Sequence, residues 1–154
     1  MTCEELIKAL AERYDALSAL ADDGSLAIEV DGTLVSFRKA NGAVAVVARV
    51  CEMPKDAQGR VASLLLKASA LMAAAGSGAF TLDESTREVS IACTLPVVRI
   101  DVDALSKTVE WLVDACHEWQ GNIMAIDAVD DELERKRLEE RAFNPLFGGN
   151  FIRV

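Results

Sequence analysis

The residues best suited to chemistry are four cysteines, a single histidine and two nearby aspartates. The cysteines form no CxxC pair, and each lies in an apolar periodic segment or beside a helix cap; they are Cys3, Cys51, Cys93 and Cys116. This placement is typical of reduced, mostly buried thiols in a cytosolic protein. The sequence shows no metal-ligand spacing either, so we expect no metal site.

The histidine and the aspartates do not form a catalytic group. His117 follows Cys116, but adjacent residues project about 100° apart around a helix, so they are not a nucleophile and its base. A surface histidine is the prediction. Asp101 and Asp103 are two residues apart and do not share a helix face, and helix capping explains Asp101 better. "GSG" and "GGN" lack the spacing and strand–helix context of a phosphate-binding loop. We therefore predict no enzyme and no cofactor.

Composition and charge argue against binding to nucleic acid and against insertion into a membrane. A net charge of −9 over 154 residues disfavours nucleic acid, whose phosphates attract basic surfaces. The apolar stretch Leu64 to Gly76 is interrupted by Lys67 and is shorter than the roughly 20 residues that span a bilayer. The first residues, "MTCEEL", carry acids where a secretory signal carries bases. We expect a cytosolic protein with one core and no membrane insertion.

The first part of the chain predicts a helix and three strands. Thr2 and Glu5 have the spacing of a capping box. One apolar stripe follows and predicts a helix that ends at 22–24; its residues are Leu6, Leu10, Tyr14, Leu17 and Leu20. "LAIEV" alternates as a strand does, and the turn "DGT" leads into "LVSFR". "AVAVVARV" is apolar on both faces, which predicts a central strand.

The remaining elements complete an α+β fold. A helix is predicted from about Ala57 to Ala75, and "GSG" ends it. The strands "AFTL" and "EVSIACTL" follow, and Asp101 caps a last core helix with one apolar side. That side consists of Leu105, Val109, Leu112, Val113 and Cys116. The predicted order is α-β-β-β-α-β-β-α, with an antiparallel sheet flanked by helices.

The second helix is apolar around most of its circumference. A helix that covers a sheet within one chain needs a single apolar stripe. Here the apolar residues occupy other faces as well, which predicts a contact with a second copy about a two-fold axis. We therefore predict a homodimer with an interface formed by Leu64, Ala68, Leu71, Met72 and the neighbouring Phe80.

The segment after Trp119 differs in composition from the rest. Asp131 and Glu132 are placed to pair with Arg135 and Lys136 one turn later, which predicts a solvated helix. The final residues contain three of the five phenylalanines: Phe143, Phe147 and Phe151. Either this tail packs back on the domain or a partner covers it, and packing is the preferred prediction. We divide the chain into a domain, 1–120, and a C-terminal extension, 121–154.

One long run resembles a known family. It is "LLLKASALMAAAGSGAFTLDESTREVSIACTLPVVRIDVDALSKTVEWLVDACHEWQ". The order of its elements resembles the class I chaperones of type III secretion, the Tir-chaperone family. These elements are a leucine-rich helix, a glycine turn, a strand ending at Leu82 and Asp83, a strand ending at Leu95 and Pro96, and a helix that ends near Trp119. With the upstream "GSLAIEVDGT", the resemblance covers about Leu6 to Gln120. The family often has an asparagine where this chain has Ser69, and the extension exceeds the usual core.

The resemblance implies a bacterial cytosolic homodimer that binds the extended N-terminal segment of a secreted effector protein. An apolar groove and an open strand edge are the features that would accept such a segment. The predicted partner contacts are Leu10, Leu17, Leu26, Ile28, Leu34 and Phe37, and for each of them ordinary core packing is the alternative. Two other functions stay open: a regulatory protein that sequesters a transcriptional or secretion component with the same dimer, and a small-molecule-binding or enzymatic α+β dimer.

Overall fold

A computed structural model describes residues 1–56 and 58–143 of the chain. The helices are α1 (Cys3–Arg13), α2 (Arg60–Ala74) and α3 (Val102–Phe143). The strands are β1 (Leu26–Val30), β2 (Thr33–Ala40), β3 (Ala43–Glu52), β4 (Ala79–Leu82) and β5 (Glu88–Pro96). Short 3-10 turns occupy Leu17–Ala19 and Val97–Arg99. The predicted α+β class and element order are confirmed.

The five strands form one antiparallel sheet in the order β1-β2-β3-β5-β4. β3 lies in the centre, as its two apolar faces predict. Phe37 pairs with Leu26 on one side and with Val46 on the other, and Val46 pairs with Cys93. These side chains therefore share a face of the sheet. That face is buried and forms the core together with α1 and α3.

α1 is shorter than the apolar stripe predicts. Its N-terminus has the predicted capping box, in which Glu5 N donates to Thr2 Oγ1 at 3.2 Å and Thr2 N donates to Glu5 Oε2 at 2.7 Å. The helix ends at Arg13, because Asp15 adopts a left-handed conformation with φ of 52°. Leu17 consequently lies in a 3-10 turn, and Leu20 forms an isolated bridge with Leu26. The prediction that both leucines belong to α1 is wrong.

α2 begins at Arg60, three residues later than the sequence pattern predicts. Gly59 precedes it with φ of 67°, and the Asp56 carboxylate accepts hydrogen bonds from Val61 N at 2.9 Å and Ala62 N at 3.0 Å. A glycine is also required after the helix. A Cβ on Gly78 would lie 2.4 Å from the carbonyl oxygen of Ala92, so only glycine lets the chain enter β4 this close to β5.

α3 is a single helix of 42 residues that continues past residue 120 without a break. Asp101 caps it as predicted, since its Oδ1 accepts from Ala104 N at 2.8 Å. The predicted apolar side is buried, and Ile123 extends it into the C-terminal extension. Beyond residue 130 every described side chain of the helix is exposed. Within residues 1–56 and 58–143, no helix is both long and apolar enough to cross a membrane.

The exposed end of α3 has two ion pairs along its surface. Lys136 pairs with Glu132 at 3.2 Å, as predicted, whereas Arg135 pairs with Glu139 at 2.9 Å instead of Asp131. Such pairs support a solvated helix. The predicted packing of the phenylalanine tail concerns the Phe143 side chain and residues 144–154, which lie outside the described residues.

Candidate partner-binding surfaces

The residues suited to chemistry do not assemble into a reactive site. All four cysteines are free thiols, and Cys3, Cys93 and Cys116 are buried. Burial raises the pKa of Cys116 to about 11, so this thiol stays protonated at neutral pH and is a poor nucleophile. Among residues 1–56 and 58–143, no cluster of His, Cys, Asp and Glu could hold a metal ion.

His117 has a structural contact that the sequence did not indicate. The side chain is exposed, as predicted, but its Nε2 lies 3.1 Å from the carbonyl oxygen of Asp31 and 3.2 Å from Thr33 Oγ1. A protonated Nε2 can donate to the carbonyl. The histidine therefore connects α3 to the β1–β2 turn, beside a cleft of about 440 Å³ in which Glu29, Arg49 and Glu52 are also found.

Four of the six predicted partner contacts lie in the core. Leu10, Leu26 and Phe37 have no more than 1% of their surface exposed, and Ile28 is also buried. The two exposed members are Leu17 and Leu34, at 49% and 48%. Strand alternation separates them, because Leu26, Ile28 and Phe37 point toward the helices whereas Leu34 points to the opposite face of the sheet.

The sheet face opposite the helices is uncovered within the described chain. One row of small side chains crosses all five strands on this face: Ala27, Ser36, Val47, Ala92 and Ala79. Four of these five residues are half-buried and Ala27 is exposed. Leu34, opposite Glu29 on β1, is the large apolar side chain next to this row. An extended chain could approach the backbone closely here, since no bulky side chain projects from the row.

The outer edge of β1 is largely open. β1 pairs with β2 on one side, and on the other side only the Leu20–Leu26 bridge occupies it within the described residues. The 3-10 turn with the exposed Leu17 lies beside this strand. The edge therefore offers unpaired backbone groups to an added strand, with apolar side chains at Leu17 and Leu34 to either side.

The predicted dimer residues divide between buried and exposed positions. Ala68 is buried, Leu64, Met72 and Phe80 are half-buried, and Leu71 is 75% exposed. Leu66, which the prediction did not include, is 73% exposed. Phe80 packs edge-on against Trp119 with ring centroids 4.9 Å apart. α2 thus buries one stripe against its own domain and leaves apolar side chains on its outer surface.

Two grooves lie between α2 and α3. The tryptophan groove, of about 430 Å³, is formed by Leu71 and Met72 with Trp111 and Trp119 of α3. The extension groove, of about 660 Å³, lies between the first half of α2 and residues 125–129 of α3. Neither Trp111 nor the extension groove was predicted from the sequence. The extension groove was missed because the pattern placed a boundary near residue 120, and the continuity of α3 across Gly121 is not visible in it.

The tertiary fold is shared with three solved structures. A chain of the ExsC–ExsE complex matches with a TM-score of 0.64 and 17% identity over 76% of this chain and 90% of that chain. A chain of the HopA1–SchA chaperone–effector complex matches with a TM-score of 0.63 and 13% sequence identity, over 77% of this chain and 92% of that chain. A chain of the ExoU–SpcU heterodimer from the type III secretion system of Pseudomonas aeruginosa matches with a TM-score of 0.57 and 17% sequence identity, over 73% of this chain and 92% of that chain.

The sequence itself matches a family model over most of its length. No curated protein sequence matches it significantly. The family model describes the Tir chaperone protein (CesT) family, and it covers residues 5–120, from the first turn of α1 through the core part of α3. This span contains all five strands and the buried face of the sheet. The chain therefore belongs to the Tir chaperone protein (CesT) family.

Proposed function

We propose that this protein is a type III secretion chaperone that binds the extended N-terminal segment of an effector in the bacterial cytoplasm and keeps it ready for secretion. The family match over residues 5–120 carries the proposal. The similar folds in the HopA1–SchA and ExoU–SpcU complexes support it. The chaperone acts by binding alone and needs no catalytic step.

The open sheet face and the β1 edge are the proposed effector surface. Main-chain hydrogen bonds to β1 would hold an extended segment in register, and side chains of the segment would contact Leu17 and Leu34. The other four predicted contacts support this surface from beneath as core residues. Apolar burial at about 25 cal/mol per Å² must offset the ordering of the segment, commonly about 2–5 kcal/mol or more. A client that wraps a large area satisfies this requirement.

The proposed chaperone is a homodimer with α2 at its interface. The exposed Leu66 and Leu71 would be covered by a second copy, and the half-buried Leu64, Met72 and Phe80 lie at the margins of the same surface. Small residues on the outside of α2, Ala70 and Ala73, permit close approach of the second copy. A contact of this kind leaves the β1 edge free, because β1 and β4 are opposite edges of the sheet and α2 packs on β4.

The test is capture of the tagged chain from its host under secretion-inducing conditions, followed by limited proteolysis and mass spectrometry. We expect one larger protein to co-purify, with protection confined to its N-terminal segment. Protection of a folded domain would instead support a regulator that sequesters a partner. A retained metabolite without a protein would support a small-molecule-binding dimer.

Two matched variants locate the surface. Leu34→Asp places a charge on the open sheet face and should reduce capture of the client at least about tenfold, the effect of 1.4 kcal/mol. Val98→Asp makes the same change at a side chain that is 91% exposed and lies at the far end of β2, near the β2–β3 turn. It should leave capture unchanged. Equal capture by both variants would remove Leu34 from the proposed contact.

A further inference from the structure

The extension groove is formed by parts of the chain on both sides of residue 120. Leu64 and Lys67 of α2 form one wall, and Ala125, Ile126 and Val129 of α3 form the other. Its lining is mainly apolar, and Val129 is exposed within the described chain. The α3 wall lies beyond residues 5–120, so this groove is specific to a chain that carries the extension.

An ion pair links the two walls. Arg60 Nη1 lies 3.3 Å from Asp130 Oδ1, and this oxygen is buried and accepts no hydrogen bond within the described residues, so the contact is electrostatic only. Ile123 is buried one turn before the groove and also fixes the extension on the domain. After Asp130 the apolar line continues outward through Leu133, since residues 126, 129 and 133 lie on one helix face. The groove therefore opens into an apolar stripe along the free part of α3.

We propose that residues 144–154 of the same chain fold back along this stripe and place Phe151 in the extension groove. The segment "NPLFGGNFIRV" has four large apolar side chains besides its valine: Leu146, Phe147, Phe151 and Ile152. Its only charged side chain is Arg153. Residues 121–134 have five acidic residues and no basic one, but Asp130 already pairs with Arg60, and Lys67 lies in the opposite wall of the groove. Apolar contact, not charge, is therefore the main attraction between the tail and the groove.

The lengths agree with this placement. Ile126 lies 17 residues before the end of α3, which is about 26 Å along the helix axis. Phe151 lies eight residues after that end, and an extended chain of eight residues also spans about 26 Å. Phe147 lies four residues after the end of α3, so an extended chain brings it about 13 Å back along the helix axis, close to Leu133. Covalent attachment makes docking of the tail intramolecular, but the tail must be nearly extended to reach Ile126, so contacts along the stripe, such as Phe147 near Leu133, have to hold it in place.

The experiment uses the full chain with the photo-crosslinking residue p-benzoylphenylalanine in place of Phe151. After irradiation, crosslinked peptides are identified by mass spectrometry in a mixture of ¹⁴N- and ¹⁵N-labelled protein. We expect the main crosslinks to join position 151 to residues 60–67 or 125–133, with both peptides carrying the same label. The tail then lies in the groove of its own chain.

Two substitutions in the groove wall test the contact itself. Val129→Asp should reduce these crosslinks at least about fivefold, because it places a carboxylate in the apolar groove. Ala125→Glu is a second exposed wall position with the same expectation. Val98→Asp, an exposed position far from the groove, should leave the yield unchanged. Circular dichroism establishes that each variant is folded.

Three results would overturn the proposal. Crosslinks mainly to other parts of the domain place the tail elsewhere. In an equal mixture, crosslinks of which about half carry mixed labels assign the groove to the tail of a second copy, because a crosslink within one chain never carries mixed labels. No crosslink from position 151, while the same residue in place of the exposed Trp111 does react, shows that the tail does not dock.

Discussion

α1 and α2 lie on the same core but use their apolar residues differently. In α1 every apolar side chain is buried or half-buried, and the exposed residues are all charged. In α2 only Val61, Leu65 and Ala68 are buried, although the helix is longer and more apolar. The domain therefore covers all apolar side chains of α1, at least in part, but buries only one stripe of α2. An apolar pattern that exceeds what one domain can cover indicates a surface for another chain.

The neighbouring elements explain the difference. α1 packs between β2, β3 and α3, so its apolar side meets the centre of the sheet. α2 packs on the edge strand β4 and beside α3, where less surface is available. The edge position leaves Leu66 and Leu71 outside any contact within residues 1–56 and 58–143 that would bury them. Removing side chains from the two helices should consequently affect different properties.

The largest effect is expected for Leu10→Ala in α1. Leu10 has no exposed surface, and truncation leaves a cavity among α1, α3 and the sheet. Substitutions of this kind cost about 2–5 kcal/mol of unfolding free energy. Urea denaturation followed by circular dichroism measures the loss. Leu66→Ala in α2 is the matched control and should cost the isolated domain less than about 0.5 kcal/mol, the usual range for surface positions. Equal losses in a monomeric background would contradict the comparison.

A second effect concerns assembly and is expected for Leu71→Asp in α2. A carboxylate at a covered interface position is buried without a partner, so the dimer should weaken by about 2–3 kcal/mol, or roughly 30- to 150-fold in dissociation constant. The domain itself should stay folded because Leu71 is exposed within one chain. Light scattering over a dilution series measures the dissociation. A variant that remains a dimer at every concentration would remove Leu71 from the interface.

The sequence predicted the strands well because their signals are local. Alternation over "LAIEV" and the turn "DGT" determine a hairpin within ten residues, and the doubly apolar β3 could only be central. The helix ends are set by features that residue spacing does not report. Asp15 ends α1 through a left-handed backbone conformation, which leucine spacing does not report. Gly121 lies inside α3, where buried Ile123 and the Arg60–Asp130 pair hold the next turns.

The predicted surfaces were harder to derive than the fold. An apolar residue on a strand indicates that a face is covered, but it does not say whether the cover is a helix of the same chain or another protein. Leu26 and Phe37 were therefore predicted as partner contacts together with Leu34, although of these three only Leu34 lies on the uncovered face of the sheet. For α2 the excess of apolar residues was itself the signal, because no other predicted element was available to surround the helix.

The smallest effect is expected at the polar side of α1, where the helix contacts α3 through an ion pair. Arg13 donates a hydrogen bond to Asp103 of α3, and this hydrogen bond and the guanidinium charge hold the pKa of the Asp103 carboxyl below its ordinary value of 3.8. A carboxyl with a lowered folded pKa contributes stability above its unfolded pKa and loses it as the pH falls through the folded value. Asp103→Asn removes this contribution at every pH.

The Tm of Asp103→Asn should thus be slightly below that of the unsubstituted chain at pH 5–7, with a difference that closes as the pH falls below about 3.8. Both partners are exposed, so salt should also reduce the difference. Asp22→Asn is the control, because Asp22 is exposed and forms no ion pair within the described residues. Scanning calorimetry across this pH range measures both variants. A difference that persisted at pH 2 would mean that Asp103 does not act through its charge.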